Sequence, residues 1–114
     1  MSEPSVKEIE LTIEQARANV EAGDQLDRLM KNADFEALVT KGYFIDEATR
    51  LVQLKAHPAM KGDMEQKMII KDIDGIGCLQ QYFNAIFALR IQSQKAIEEG
   101  EAALAEIEQE EVSH

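Results

Sequence analysis

One cysteine, two histidines, two prolines and no tryptophan occur among the 114 residues of this chain, and each scarcity removes something. With Cys78 alone, no intrachain disulfide can form. The thiol sits in an apolar run, where an inert buried side chain is expected rather than a reactive one. His57 and His114 lack a His, Cys or Asp partner at helical metal-ligand spacing. His57 stands beside Pro58 and reads as a turn residue, while His114 is the last residue. No Ser-His-Asp, Cys-His or H-E-x-x-H arrangement is present. Neither an enzyme, a resident metal nor a cofactor is expected.

Long apolar runs are missing too. No stretch approaches the roughly 20 apolar residues that a membrane-spanning helix needs. The N-terminal segment alternates charge with apolar residues and carries no secretory core. A soluble protein of the cytoplasm is expected.

Positive charge is short as well. Twelve bases face 22 acids, a formal net charge of −10. Residues 84–114 carry seven acids against two bases, half of the whole imbalance. Such a surface repels phosphate backbones, so direct nucleic-acid binding is not expected. A protein partner with a basic surface fits better. The Glu98-Glu99 and Glu108–Glu111 runs read as a solvated charged face, and Glu98, Glu101, Glu106 and Glu108 are taken as an acidic docking face.

What remains is aliphatic. With two Tyr and four Phe as the only aromatics, Ile, Leu, Ala and Met must form the core, and that mixture favours helices. One domain of 114 residues can bury a modest core.

The helices are punctuated clearly. Ser5-Val6-Lys7-Glu8 has the S-x-x-E form of a capping box. Ile9, Ile13, Ala16, Val20, Leu26 and Met30 follow at helical spacing, which predicts a helix over 5–31, weakened late by Gly23. Asp34 opens a short helix through Leu38 and Val39 that is expected to stop at Gly42. A left-handed glycine there would bring Tyr43 onto Leu38 in a Schellman close. A further short helix runs from about Asp46 to Ala56, ending where Pro58 denies His57 the helical region. Together these are two short helices within 34–56, with Tyr43 and Phe44 as core anchors. Asp63 with Gln66 gives a second capping-box form, and from there to residue 111 no proline interrupts.

A helix over 63–111 would be roughly 70 Å long at 1.5 Å per residue, too long to stand alone. The expected fold is therefore all-α. The N-terminal helix lies antiparallel to the C-terminal part of the very long helix, and the short helices form a small head.

The stretch KDIDGIGCLQQYF, Lys71 to Phe83, tests this reading. As a calcium loop counted from Asp72 it places Gly75 too early and Phe83 where a bidentate Glu is needed. As a phosphate loop it lacks a third glycine, because Gln80 stands there. As a helix it fits. Ile69, Ile73, Ile76, Phe83 and Phe87 fall near one face, and Gly75, Cys78, Tyr82, Ala85 and Leu89 near a neighbouring one. Two glycines cost about 1 kcal/mol each against Ala, so close approach of a helix or of the Tyr43 or Phe44 ring is expected there. Tyr43, Phe44, Gly75, Gly77, Leu79, Tyr82, Phe83, Ile86, Phe87 and Ile91 make an apolar surface wider than one hairpin partner covers. The excess must face the head or another subunit, and a homodimer is the preferred outlet, with a monomer and a packed head as the alternative. Gln80, Gln81 and Tyr82 leave open a small-ligand pocket beside the glycines.

Two segments, NADFEALVTKGYFIDEATRLVQLKAHPAM (Asn32 to Met60) and KDIDGIGCLQQYFNAIF (Lys71 to Phe87), are followed by a Glu-rich tail. In this layout the chain resembles a group of small acidic helical proteins encoded by tailed bacteriophages. The resemblance implies a bacterial host cytoplasm or a virion as the setting, and it transfers no functional residue. Three readings follow: an accessory or scaffold-like protein of particle assembly that self-associates through helices, an acidic inhibitor of a host nucleic-acid-binding or defence protein, and a small-ligand-sequestering helical oligomer.

Overall fold

In a computed structural model describing residues 4–113, all regular structure among those residues is helical. The reading of His114 falls outside the described residues. Among the described residues no helix is long and apolar enough to cross a membrane.

Helix α1, Val6–Met30, starts on the expected capping box. The Glu8 amide donates to Ser5 Oγ at 3.1 Å, and the Ser5 amide donates to Glu8 Oε2 at 3.2 Å. Two orphan donors are satisfied by one pair of side chains. Ile9, Ile13, Ala16 and Leu26 are its buried apolar side chains, as their spacing requires.

The next segment departs from expectation. Asn32, not Asp34, caps it: Asn32 Oδ1 accepts the Asp34 and Phe35 amides at 3.0 and 3.1 Å. The short α2, Ala33–Phe35, passes without a break into a π-helix, Glu36–Glu47, and then into α3, Ala48–Ala56. Helical torsions persist at both junctions, with φ −62° and ψ −44° at Phe35 and φ −59° and ψ −44° at Ala48. The Schellman close at Gly42 is therefore corrected: no described glycine has positive φ, and the helix winds straight through.

The wide winding leaves three marks. A Cβ on Gly42 would lie 2.7 Å from the Ala37 carbonyl oxygen, five residues back. Lys41 Nζ meets Asp46 Oδ2 at 3.2 Å, an i,i+5 pair. The rings of Phe35 and Phe44 both reach Phe83, with centroids 6.0 and 5.8 Å away. Nine residues of α-helix would set Phe35 and Phe44 about 180° apart. An i,i+5 ladder, at roughly 4.4 residues per turn, brings them to one side. The aromatic contacts explain the winding.

His57 ends α3 in the extended region, φ −67° and ψ 131°, because Pro58 follows. Its Nδ1 accepts the Ala59 amide at 3.0 Å and caps a 3₁₀ turn, Pro58–Met60. Helix α4, Asp63–Ser113, follows. The second capping box does not form as expected. Gln66 Nε2 donates instead to the Met60 carbonyl at 2.6 Å and the Lys55 carbonyl at 3.0 Å. It ties the turn to the end of α3, where carbonyls lack helical partners.

The chain divides into two compact units. One joins the residues up to Gln25 with those from Ala85 onward. There α1 and α4 run antiparallel, as the order of contacts shows: Ile13 with Gly100, Asn19 with Ser93, and Gly23 with Arg90. The other, Leu26–Asn84, packs Leu51, Ile69 and Ile76 into a core against Tyr43, Phe44, Ala48, Leu54, Met60 and Ile73. This is the expected all-α fold, with a helical hairpin of α1 and α4 in one unit and the short helical segments in the other.

Candidate functional site

The unit Leu26–Asn84 holds the segment Lys71 to Phe83, which is helical throughout. Phe83 is its aromatic hub. Phe44 meets it edge-on at 68°, Phe35 is tilted at 42°, and Tyr82 lies 6.2 Å away. Tyr43 in turn packs 6.0 Å from Phe44. Such pairs add roughly 0.5–1.5 kcal/mol each beyond their buried area. Tyr43 and Phe44 are thus core anchors, as expected.

The two glycines of the segment are not explained by close packing. A Cβ on Gly75 would be 3.7 Å from Tyr43 Oη, an ordinary contact, and one on Gly77 would meet nothing within 4 Å. The expectation is met in part: Tyr43 does come to Gly75, but nothing comes to Gly77 and neither glycine is required by space. Cys78 is also corrected, since its thiol is exposed and not buried.

Leu79, Phe83, Ile86 and Phe87 are half-buried. Packing inside the chain takes much of the surface that composition assigned to a partner. Tyr82 and Ile91 stay open, at 62% and 67% exposure. Gln80 and Gln81 are exposed beside Tyr82.

Exposed apolar side chains of this unit stand on the π-helix and α3, where Leu38, Val52 and Ile45 are 74%, 61% and 57% exposed, and on α4. Met64 is 70% and Met68 62% exposed. Lys71, Gly75, Cys78 and Tyr82 continue outward at alternating steps of four and three residues, and every one is exposed. Ile69 and Ile76, on the opposite side of the helix, are buried. One stripe of α4 is covered by its own unit and a second is bare.

In the other unit the close approaches are made at Gly23, whose poor helix propensity weakens α1 locally, and at Gly100. A Cβ on Gly23 would fall 2.7 Å from Arg90 Cβ, and one on Gly100 2.8 Å from Ile13 Cγ1. Over Gly23, Arg90 donates to Asp24 Oδ1 at 3.2 Å and lies 5.2 Å from the centre of the Phe87 ring. Buried Ser93 accepts from Asn19 Nδ2 at 3.2 Å.

Glu98, Glu101, Glu106 and Glu108 are all exposed, yet they do not form one face. Glu98, Glu101 and Glu108 share a flank of α4, at helical steps of three and seven. Glu106 stands five residues from Glu101, about 140° around the helix. Glu106 and Glu108 each stand about 80° from Glu98, on opposite sides, so the four carboxylates spread over about 160° of the helix. Glu101 already meets Arg17 at 3.4 Å, an exposed pair of small energetic weight. Among the described residues there is no group of three or more His, Cys, Asp or Glu side chains placed to hold a metal ion.

Searches for related proteins return nothing that bears on these surfaces: no family model matches, and neither the curated proteins nor the solved structures yield a significant match.

Proposed function

We propose that the chain is a non-enzymatic protein-interaction module that self-associates through its helices. The observation that carries this reading is the bare stripe of α4, on which Met64, Met68 and Tyr82 are 70%, 62% and 62% exposed. Large apolar side chains scattered singly are ordinary on a protein surface. Three of them in helical register, backed by a buried stripe on the same helix, are the pattern of a helix with a second partner.

Its setting would be a bacterial host cell or a virion, with a role in phage particle assembly, as the resemblance of the Asn32–Met60 and Lys71–Phe87 segments suggests. The flank of Glu98, Glu101 and Glu108 would serve a second, basic protein. That contact would be salt-sensitive, because exposed charges are screened beyond about 8–10 Å at physiological ionic strength.

The test is a charge on the bare stripe. Met68→Glu leaves the buried core of its unit untouched, because Met68 projects outward. Light scattering should show an assembled wild type and a smaller variant of unchanged helicity. Equal masses for the two proteins would remove the stripe from the account. Phe83→Asp is the poorer probe, since Phe83 packs on Phe35 and Phe44 and its loss would disturb the fold itself.

A further inference from the structure

We infer that the bare stripe of α4 is a parallel, in-register seam with a second copy of the chain. The inference rests on the self-association reading above and adds direction and register to it.

The steps between Met64, Met68, Lys71, Gly75, Cys78 and Tyr82 are those of a heptad seam, which faces a partner helix wound around it. All six positions are exposed. The seam is flanked by Glu65 and Asp72 on one edge and by Lys67 and Asp74 on the other, all on the same helix.

These flanking charges choose the direction. In a parallel pair, the residue preceding a Met68-type position meets the partner residue five places further along. Lys67 then faces Asp72 of the second copy, and two-fold symmetry makes that attraction twice. An antiparallel pair centred on the stripe sets Asp72 against Asp72 and Asp74 against Asp74, with no cation opposite either. Arg50 on α3 also draws on Asp72. It is already held by both carboxylate oxygens of Glu47, at 3.0 and 2.5 Å.

Lys71 fits the same arrangement. A lone Lys in the seam lowers its stability. Its stem can lie along the seam while the ammonium reaches the solvent edge, beside Asp72 of the second copy. A larger bundle would bury that charge. Gly75 and Cys78 are small, so the two helices can come close at the middle of the seam.

Direction has a chemical signature. In the parallel register each Cys78 lies opposite Cys78 of the second copy. In the antiparallel register it faces Met68, and the two thiols stand ten residues apart along the helices, roughly 15 Å. A disulfide needs Cα atoms within about 7 Å.

The experiment uses the reduced full-length chain, treated at low micromolar concentration with diamide. The two thiols form one S–S bond, and their protons and electron pair pass to the azo bond of diamide, giving the hydrazine. Light scattering of the same untreated sample gives the mass. The expected result is a dimer that converts to a covalent dimer. The conversion should be about tenfold slower in Met68→Glu, where a charge enters the seam, and absent in Cys78→Ser. A non-covalent dimer that resists cross-linking overturns the parallel register and leaves self-association standing. A monomer by light scattering overturns both. Cross-linking as fast in Met68→Glu as in the wild type means chance collision of exposed thiols, and it also overturns the seam.

Discussion

Arg90 lies directly over Gly23: a Cβ on the glycine would fall 2.6 Å from Arg90 Cδ and 2.7 Å from Arg90 Cβ. The second of these atoms is fixed to the α4 backbone and cannot swing away. Gly23 therefore sets the spacing of α1 and α4 at this level, although a glycine within a helix costs stability by itself.

Gly23→Ala should accordingly destabilise the protein. Overpacking of this kind costs about 1–3 kcal/mol, against about 1 kcal/mol recovered in helix propensity. A urea titration followed by circular dichroism should show a lower midpoint. An unchanged or higher midpoint would mean that the helices separate without penalty.

Gly77→Ala should do the opposite. An added Cβ meets nothing within 4 Å, so only the propensity gain remains, about 1 kcal/mol. The same titration should give a higher midpoint. A loss would reveal a neighbour that the fold does not show.

Gly42→Ala tests the wide turn. Its Cβ would press on the Ala37 carbonyl oxygen at 2.7 Å, and a backbone oxygen yields poorly. A loss of about 1–3 kcal/mol is expected, with rearrangement of the Phe35 and Phe44 rings around Phe83 visible in aromatic NMR shifts. Wild-type stability with unmoved rings would contradict the i,i+5 winding.

Glu47 offers a titration. The Arg50 hydrogen bond holds the Glu47 carboxyl below its ordinary value of 4.5, against an opposing desolvation and with a lesser contribution from the attraction of the Arg50 charge. A folded-state value below the unfolded one means that the pair contributes stability above the unfolded value. That contribution is lost as pH falls through the folded value. NMR titration should place the Glu47 midpoint below that of an unpaired Glu, and Arg50→Met should return it upward. A midpoint indifferent to Arg50 would show that the pair is absent in solution.

The parts of the fold legible in the sequence were those set by local chemistry. Ser5 and Glu8 spelled the cap of α1, the spacing of Ile9, Ile13, Ala16 and Leu26 gave its buried face, and Pro58 stopped α3. The absence of proline after residue 63 gave the long helix. What was hidden depended on neighbours distant in sequence. Gly42 read as a stop because a glycine after an apolar run usually is one. Its actual role follows from Phe83, which draws Phe35 and Phe44 to one side. Two weak signs pointed there, the nine-residue separation of those phenylalanines and the five-residue separation of Lys41 from Asp46.

The candidate surface was legible only in outline. Periodicity placed two neighbouring apolar faces on α4 between Ile69 and Leu89. It could not show which one the head would cover. Leu51 and Phe44 chose the side of Ile69 and Ile76, leaving Cys78 exposed and Met64 and Met68 bare. Gly23 was read as a local weakness because its counterpart, Arg90, lies far along the chain.

The central claim is that the bare stripe is covered by a second copy of the chain, and sedimentation equilibrium of the full chain across the micromolar range measures this most directly. The account predicts a mass rising with concentration toward twice the 12.8 kDa of one chain. A mass that stays at 12.8 kDa throughout would contradict it.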